Sequence, residues 1–160
     1  MEGLANNAEM QRFAFAAGDG FPLRLTRMSA DRPTGGPPVL LVHGAGVRSN
    51  VFNPPEAQTL PDLLAAQGFD VWLLDWRASI DLQPNQWVLD DAAVHDFPAA
   101  TAKLRELTGA SEIKAVIHCQ GSTSFMMSIV AGLLPEVSTV VSNAVALHTI
   151  VPGLARAKLL

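Results

Sequence analysis

The chain has a single cysteine, Cys119, in 160 residues, so no internal disulfide can form. It also has no basic cluster: Lys and Arg number 11 against 15 Asp and Glu, a formal net charge of -4, and aromatics make up only 6%. The electrostatic footprint of a nucleic-acid binder is missing, and a small-molecule partner is the expectation instead. The opening residues, MEGLANNAEMQRF, carry neither a basic n-region nor an apolar h-region. The most apolar stretch, Phe125 to Leu134, falls far short of the roughly 20 residues that span a bilayer. With the lone thiol, these absences point to a reducing, cytoplasmic setting and to no transmembrane segment. No internal repeat is visible, and 12 Gly and 11 Pro fall mostly between periodic segments rather than in a low-complexity tract.

What is present fits one globular domain. Hydrophobic residues make up 49% and charged residues 16%, and the length suits one core but not two. Residues 1 to 10 are polar and expected to fray. Phe13 and Phe15, then Leu23 and Leu25, alternate with period two around the turn Gly18-Asp19-Gly20, which predicts a β-hairpin. After a Gly- and Pro-rich loop over 29 to 38, Val39 to Val42 reads as a strand buried on both faces, as in a parallel sheet. Thr59 to Gln67 predicts a short helix with Thr59 and Asp62 as a capping box, Leu60, Leu63 and Leu64 on its inner side and Gly68 as its stop. Phe69 to Leu74 is the next strand, and Asp75 at its end reads as an anchor paired with Arg77 or Arg48. Ala93, Phe97, Ala100, Leu104 and Leu107 mark a helix face ended by Gly109. Pro98 either kinks that helix or opens a second one capped by Asp96. Val137 to Val145 is the last strand.

The chemistry concentrates in Ile113 to Phe125, IKAVIHCQGSTSF. A β-rich apolar run feeds His118-Cys119-Gln120-Gly121, and the pattern then becomes helical through Phe125, Ile129 and Leu133, with Pro135 beyond it. A strand that bends abruptly into a helix presents the residue at the bend, as in the nucleophile elbow G-x-S-x-G. Here Cys119 takes the nucleophile place and Gly121 the second glycine, while Ile117 stands where the first glycine would be. A thiol at a helix N-terminus meets free N–H groups and a positive dipole end that favour the thiolate. The Gln120 N–H offers half of an oxyanion hole. The turn His43-Gly44-Ala45-Gly46, at the end of the strand from Val39, offers the other half through the Ala45 N–H, with His43 and Gly44 as framework. Of the remaining histidines, His118 adjoins the thiol across the bend, His95 lies on a helix, and His148 follows the last strand. None has the placement of a base.

An opening hairpin, alternating strands and helices, a His-Gly turn after the third strand and an elbow after the fifth together resemble the alpha/beta-hydrolase fold. This implies an α/β class with a mostly parallel sheet. Trp87 to Ala100, WVLDDAAVHDFPAA, resembles the matching stretch of acid lipases. The elbow HCQGS is similar to those of polyhydroxyalkanoate synthases and dienelactone hydrolases in carrying cysteine. The segments HGAGVRSNVFNPP, WRASID, HCQGSTSF and SNAVALH resemble hydrolase-like domains associated with glucose-methanol-choline flavin oxidoreductases.

The resemblance implies eight strands with an acid after strand six or seven and a catalytic His after strand eight. About six are legible, so the sequence reads as the N-terminal part of a longer protein, with the triad base and acid absent from this chain. It implies an ester or thioester hydrolase or acyltransferase acting on a small or lipid-like substrate, without cofactor or metal and nearly inactive as this piece. The alternatives it implies are a non-catalytic partner domain of a flavin oxidoreductase and a synthase-like acyltransferase. An uncovered sheet edge at Val137 to Val145 predicts dimerisation or aggregation.

Overall fold

The computed structural model describes residues 10–28 and 35–146. The fraying expected of the first residues, most of the 29–38 loop and the placement of His148 lie outside them. Six strands form one sheet: β1 (Gln11–Ala16), β2 (Pro22–Arg27), β3 (Pro38–Val42), β4 (Asp70–Asp75), β5 (Ile113–His118) and β6 (Val137–Asn143), in the spatial order β1-β2-β4-β3-β5-β6. The β1-β2 and β2-β4 pairs are antiparallel, whereas β4, β3, β5 and β6 run parallel. The predicted hairpin is present, with Phe13 opposite Leu25 and Phe15 opposite Leu23.

All five residues of β3 and all six of β4 are buried. This explains their unbroken apolar runs, because a parallel strand in mid-sheet has no wet face. Two apolar layers flank the sheet. The larger gathers Leu25, Leu40, Trp72, Trp76, Phe97, Phe125 and their neighbours, and the smaller is built on Met28, Leu41, Ala65, Val71 and Leu73.

Helix α1 (Leu60–Ala66) starts with the predicted capping box of Thr59 and Asp62. Its inner face differs from the expectation: Pro61 and Ala65 are buried, whereas Leu60 and Leu63 are exposed. With Pro61 at the first turn, the rotation of the helix follows from the cap rather than from the leucines. Helix α2 (Leu89–Asp91) runs through a π-helical turn, Ala92–Asp96, into α3 (Phe97–Thr108), which Gly109 closes in the left-handed region at φ 71°. Asp96 does not cap a second helix. It has helical dihedrals and no side-chain cap bond; its carboxylate instead accepts from the Arg77 guanidinium and backbone N–H.

Helix α4 (Cys119–Val130) ends earlier than the apolar spacing suggested, because Gly132 takes φ 70° and turns the chain before Leu133. Strand β6 ends at Asn143 rather than Val145. No helix among the described residues is long and apolar enough to cross a membrane.

Candidate active site

The β5-α4 junction is a sharp bend. His118 is extended, at φ -132° and ψ 138°, and the very next residue, Cys119, opens the helix with φ 52°. A positive φ on a residue with a Cβ is strained backbone, of the kind that concentrates at functional sites. Cys119 is exposed. It is therefore not a buried apolar filler, the ordinary fate of a free cysteine.

Two glycines make the bend possible. A Cβ on Gly121 would lie 2.3 Å from the His43 carbonyl oxygen, so α4 can start here only because that position has no side chain. A Cβ on Gly44 would lie 2.9 Å from the Cys119 Cβ and 3.4 Å from its Sγ. The turn after β3 thus lies directly against the thiol, and the structure brings together Cys119, Gly121, His43 and Gly44.

The orientation of that turn is set by His43, which is fully buried. Its Nδ1 lies 2.6 Å from the Gly44 carbonyl oxygen. A carbonyl only accepts, so Nδ1 carries the proton and donates. No peptide bond among the described residues is cis. In a trans peptide the N–H points opposite to the C=O, so drawing the Gly44 carbonyl toward the imidazole sends the Ala45 N–H the other way. Among the described residues, no backbone or side-chain acceptor takes that N–H. The Gln120 N–H belongs to the first turn of α4, whose N–H groups have no intrahelical partner. Burial holds the His43 pKa below its ordinary value of 6.5, against the opposing pull of the Gly44 bond and the Asp75 charge. The ring is neutral, with Nε2 lacking a hydrogen-bond partner and 3.7 Å from an Asp75 oxygen.

Asp75 is an anchor, but its partner is neither Arg77 nor Arg48. Arg24, from the opposite strand β2, bonds it at 2.6 Å; Arg77 pairs with Asp96 and Asp19, and Arg48 with Asp81. Arg77 projects from two residues further along, toward the π turn, so a lateral neighbour reaches Asp75 instead. The same carboxylate accepts from the Ser49 N–H and the Ser79 hydroxyl, each at 2.8 Å. Burial pushes its pKa up, yet the bonds from Ser49, Arg24 and Ser79 together hold it below the ordinary carboxylate value. Asp75 thereby ties the loop after β3 to the loop after β4.

Of the other histidines, His95 packs on the hairpin turn, its Nδ1 3.1 Å from where a Gly18 Cβ would be. The His118 Cδ2 lies 3.8 Å from a Cβ built on Gly44. A hollow of about 600 Å³ opens at the N-terminal ends of the parallel strands, between Pro38, Asp70 and Glu112. It is at the wrong end of the sheet, because open α/β sheets bind ligands beyond the C-terminal ends of their strands.

The family described as alpha/beta hydrolase fold matches residues 37–154. The chain belongs to that family. The β5-α4 bend has the strand-turn-helix form of a nucleophile elbow. Among relatives, the chain is 32% identical over 141 residues to Triacylglycerol lipase 1 of Arabidopsis thaliana, covering 79% of this chain and 35% of that one. It is 31% identical over 146 residues to Lipase member M of Homo sapiens, covering 80% and 34%. The chain thus spans about a third of the length of these lipases. An epoxide hydrolase structure from Vigna radiata superposes with TM-score 0.66 at 18% identity, over 94% of this chain and 46% of that one. That likeness shows the alpha/beta-hydrolase fold and nothing finer.

Sequence reasoning missed Trp76, whose indole N–H donates to the His43 carbonyl at 2.9 Å. A signal was present: a buried tryptophan usually finds an acceptor, and this one stands at a strand end beside the strand that leads into the His-Gly turn, whereas the buried Trp72 in mid-strand has none among the described residues.

Proposed function

We propose that this alpha/beta-hydrolase chain carries the nucleophile and oxyanion hole of an ester or thioester hydrolase or acyltransferase, with the Cys119 thiolate as nucleophile. The observation that carries the reading is the positive φ of an exposed Cys119 at a strand-to-helix bend, packed against the His43-Gly44 turn. In this reading Sγ attacks the acyl carbonyl carbon, and the Gln120 and Ala45 N–H groups hold the oxyanion. Collapse of the tetrahedral species breaks the bond to the leaving alcohol or thiol, which departs with the electron pair. Each N–H contributes on the order of 3 kcal/mol of transition-state stabilisation. The lipase relatives support an acyl ester substrate, and an apolar acyl chain fits that class.

The thiol proton can pass to buffer, but activating water to release the acyl group requires a positioned base. His43 is sealed in the core with Nδ1 committed to Gly44, and His95 lies against the hairpin. We assign base and acid to segments outside residues 10–146. The described part is then expected to acylate and to deacylate slowly. Mixed with p-nitrophenyl acetate, the 160-residue chain should release one equivalent of p-nitrophenolate in a burst, gain one acetyl group on Cys119 by mass spectrometry, and turn over poorly afterwards. Cys119→Ala should lose the burst. An equal burst in that variant sinks the nucleophile assignment, whereas no burst in the wild-type chain favours a docking domain beside a flavin oxidoreductase, the role implied by the resemblance of its HCQGSTSF and SNAVALH segments.

A further inference from the structure

The oxyanion turn has a second support, which the nucleophile reading does not use. Trp76 is fully buried at the end of β4, its ring edge-on to Trp87 at 5.1 Å and tilted against His43 and Phe97. Its Nε1 donates to the His43 carbonyl, the same oxygen that a Gly121 Cβ would strike at 2.3 Å. That oxygen is therefore pinned between an indole N–H on one strand end and the first turn of the elbow helix. The Gly46 N–H donates to the Ala78 carbonyl and the Ile80 N–H to the Val47 carbonyl, each at 3.1 Å, so the β3 and β4 loops are laced together just beyond Ala45.

The bonds form a chain. Trp76 sets the His43-Gly44 peptide plane, and the His43 imidazole sets the Gly44-Ala45 plane, which aims the Ala45 N–H. Without the indole N–H, the His43 carbonyl loses its only side-chain donor among the described residues and the first plane is free to rotate.

We propose that Trp76 is a positioning residue for acyl transfer, acting through the His43 carbonyl to hold the Ala45 N–H where the oxyanion forms. This rests on Cys119 being the nucleophile. Because the chain has one cysteine, two reagents separate the roles cleanly. With p-nitrophenyl acetate, Sγ bonds to the carbonyl carbon, an oxyanion forms and collapses, p-nitrophenolate leaves, and the thiol proton passes to buffer. With iodoacetamide, Sγ displaces iodide and no oxyanion arises. A misaimed donor slows the first reaction and leaves the second alone.

The experiment measures both second-order rates for wild type, Trp76→Phe and Trp87→Phe, with N-acetylcysteine as the free-thiol reference. In Trp76→Phe the acylation rate should fall roughly 10- to 100-fold, since small misplacements of a reacting group have effects of that size. Its alkylation rate should stay within about twofold, and Trp87→Phe, which removes a packing neighbour but no bond to the turn, should change neither rate. Equal losses in both reactions, or undiminished acylation, overturn the positioning role while leaving Cys119 in place. A wild-type acylation-to-alkylation ratio no better than that of N-acetylcysteine overturns the oxyanion hole itself, and the Trp76 role with it. Should Trp76→Phe fail to give a cooperative denaturation curve, benzothienyl-alanine at position 76, close in size but without the N–H, takes its place, and the same two rates decide.

Discussion

Cys119 holds φ 52° with a Cβ attached, while its neighbour Gly121 has no Cβ because one would collide with the His43 carbonyl. Positive φ costs a residue with a Cβ about 1–2 kcal/mol, and an exposed side chain returns little burial to offset it. Cys119→Gly should therefore stabilise the fold by about 0.5–1 kcal/mol, after the extra freedom that glycine gives the unfolded chain, while removing every thiol reaction. Urea unfolding of the two proteins checks this, and an unchanged or lower midpoint would count against strain at the bend. His43 gives a pH prediction. Burial holds its pKa below 6.5, so as pH falls through that value the unfolded chain takes up a proton before the native one, and stability declines until the native ring also titrates. Asp75, held below 3.8, stays ionised in that window and adds no slope. His43→Asn, which keeps a donor for the Gly44 carbonyl, should flatten the pH dependence as pH falls below 6.5, read as urea midpoints in a pH series. The cysteine, both glycines and His43 were legible because strand, bend and helix patterns meet at them. Trp76 and Arg24 were not, since lateral pairing between strands distant in sequence decides their partners.

The helix before the elbow strand shows how one irregular turn fits into an otherwise regular fold. Apolar spacing from Ala93 to Leu107 predicted one helix, and Pro98 left a choice between a kink and a second start. The chain takes the second course for Pro98, which sits in the first turn of α3, but without the Asp96 cap: an added residue makes the π turn Ala92–Asp96, with the Phe97 N–H reaching back to Ala92. Such a turn frees carbonyls from the regular ladder. Ser128 of α4 takes one up, donating to the Ala93 carbonyl at 2.7 Å, while Ser124 donates to the Leu89 carbonyl of α2, which also accepts from the Ala92 N–H. Ser124 and Ser128 are both fully buried, and each has a carbonyl of the preceding helical segment as an acceptor. The turn also brings Asp96 to Arg77, in a buried pair that no local rule would suggest. Ser128→Ala should cost about 1–3 kcal/mol, because the Ala93 carbonyl is left buried with its donor gone. A loss under about 0.5 kcal/mol in denaturant titrations would mean the π turn satisfies its own carbonyls. Periodicity locates a helix, but it is blind to a single inserted residue whose cost is met by a different helix.

At the scale of the molecule the two sides of the sheet are unequal. Strand β4 is wholly buried, whereas β6 pairs, among the described residues, with β5 alone and exposes most of its side chains. Its sequence, VSTVVSN, is rich in β-branched residues and uncharged, with no proline or lysine to deter a further strand. Val130, Leu133 and Val141 are also exposed, Val130 at 85%. Open backbone groups beside apolar surface favour pairing with another strand, and two copies of an uncharged edge meet without like-charge repulsion. The 160-residue chain should therefore self-associate as its concentration rises, as the exposed edge predicted from the sequence. Val141→Lys puts a charge on that edge while leaving the elbow untouched, and it should shift the sedimentation-velocity distribution toward monomer at equal concentration. The acylation burst at Cys119 should be the same in both proteins, because the bend, the His43 turn and the loops that brace it lie inside one chain. If association is unaffected by the lysine, the contact lies elsewhere; if the burst disappears with it, the elbow depends on a second copy to hold its shape.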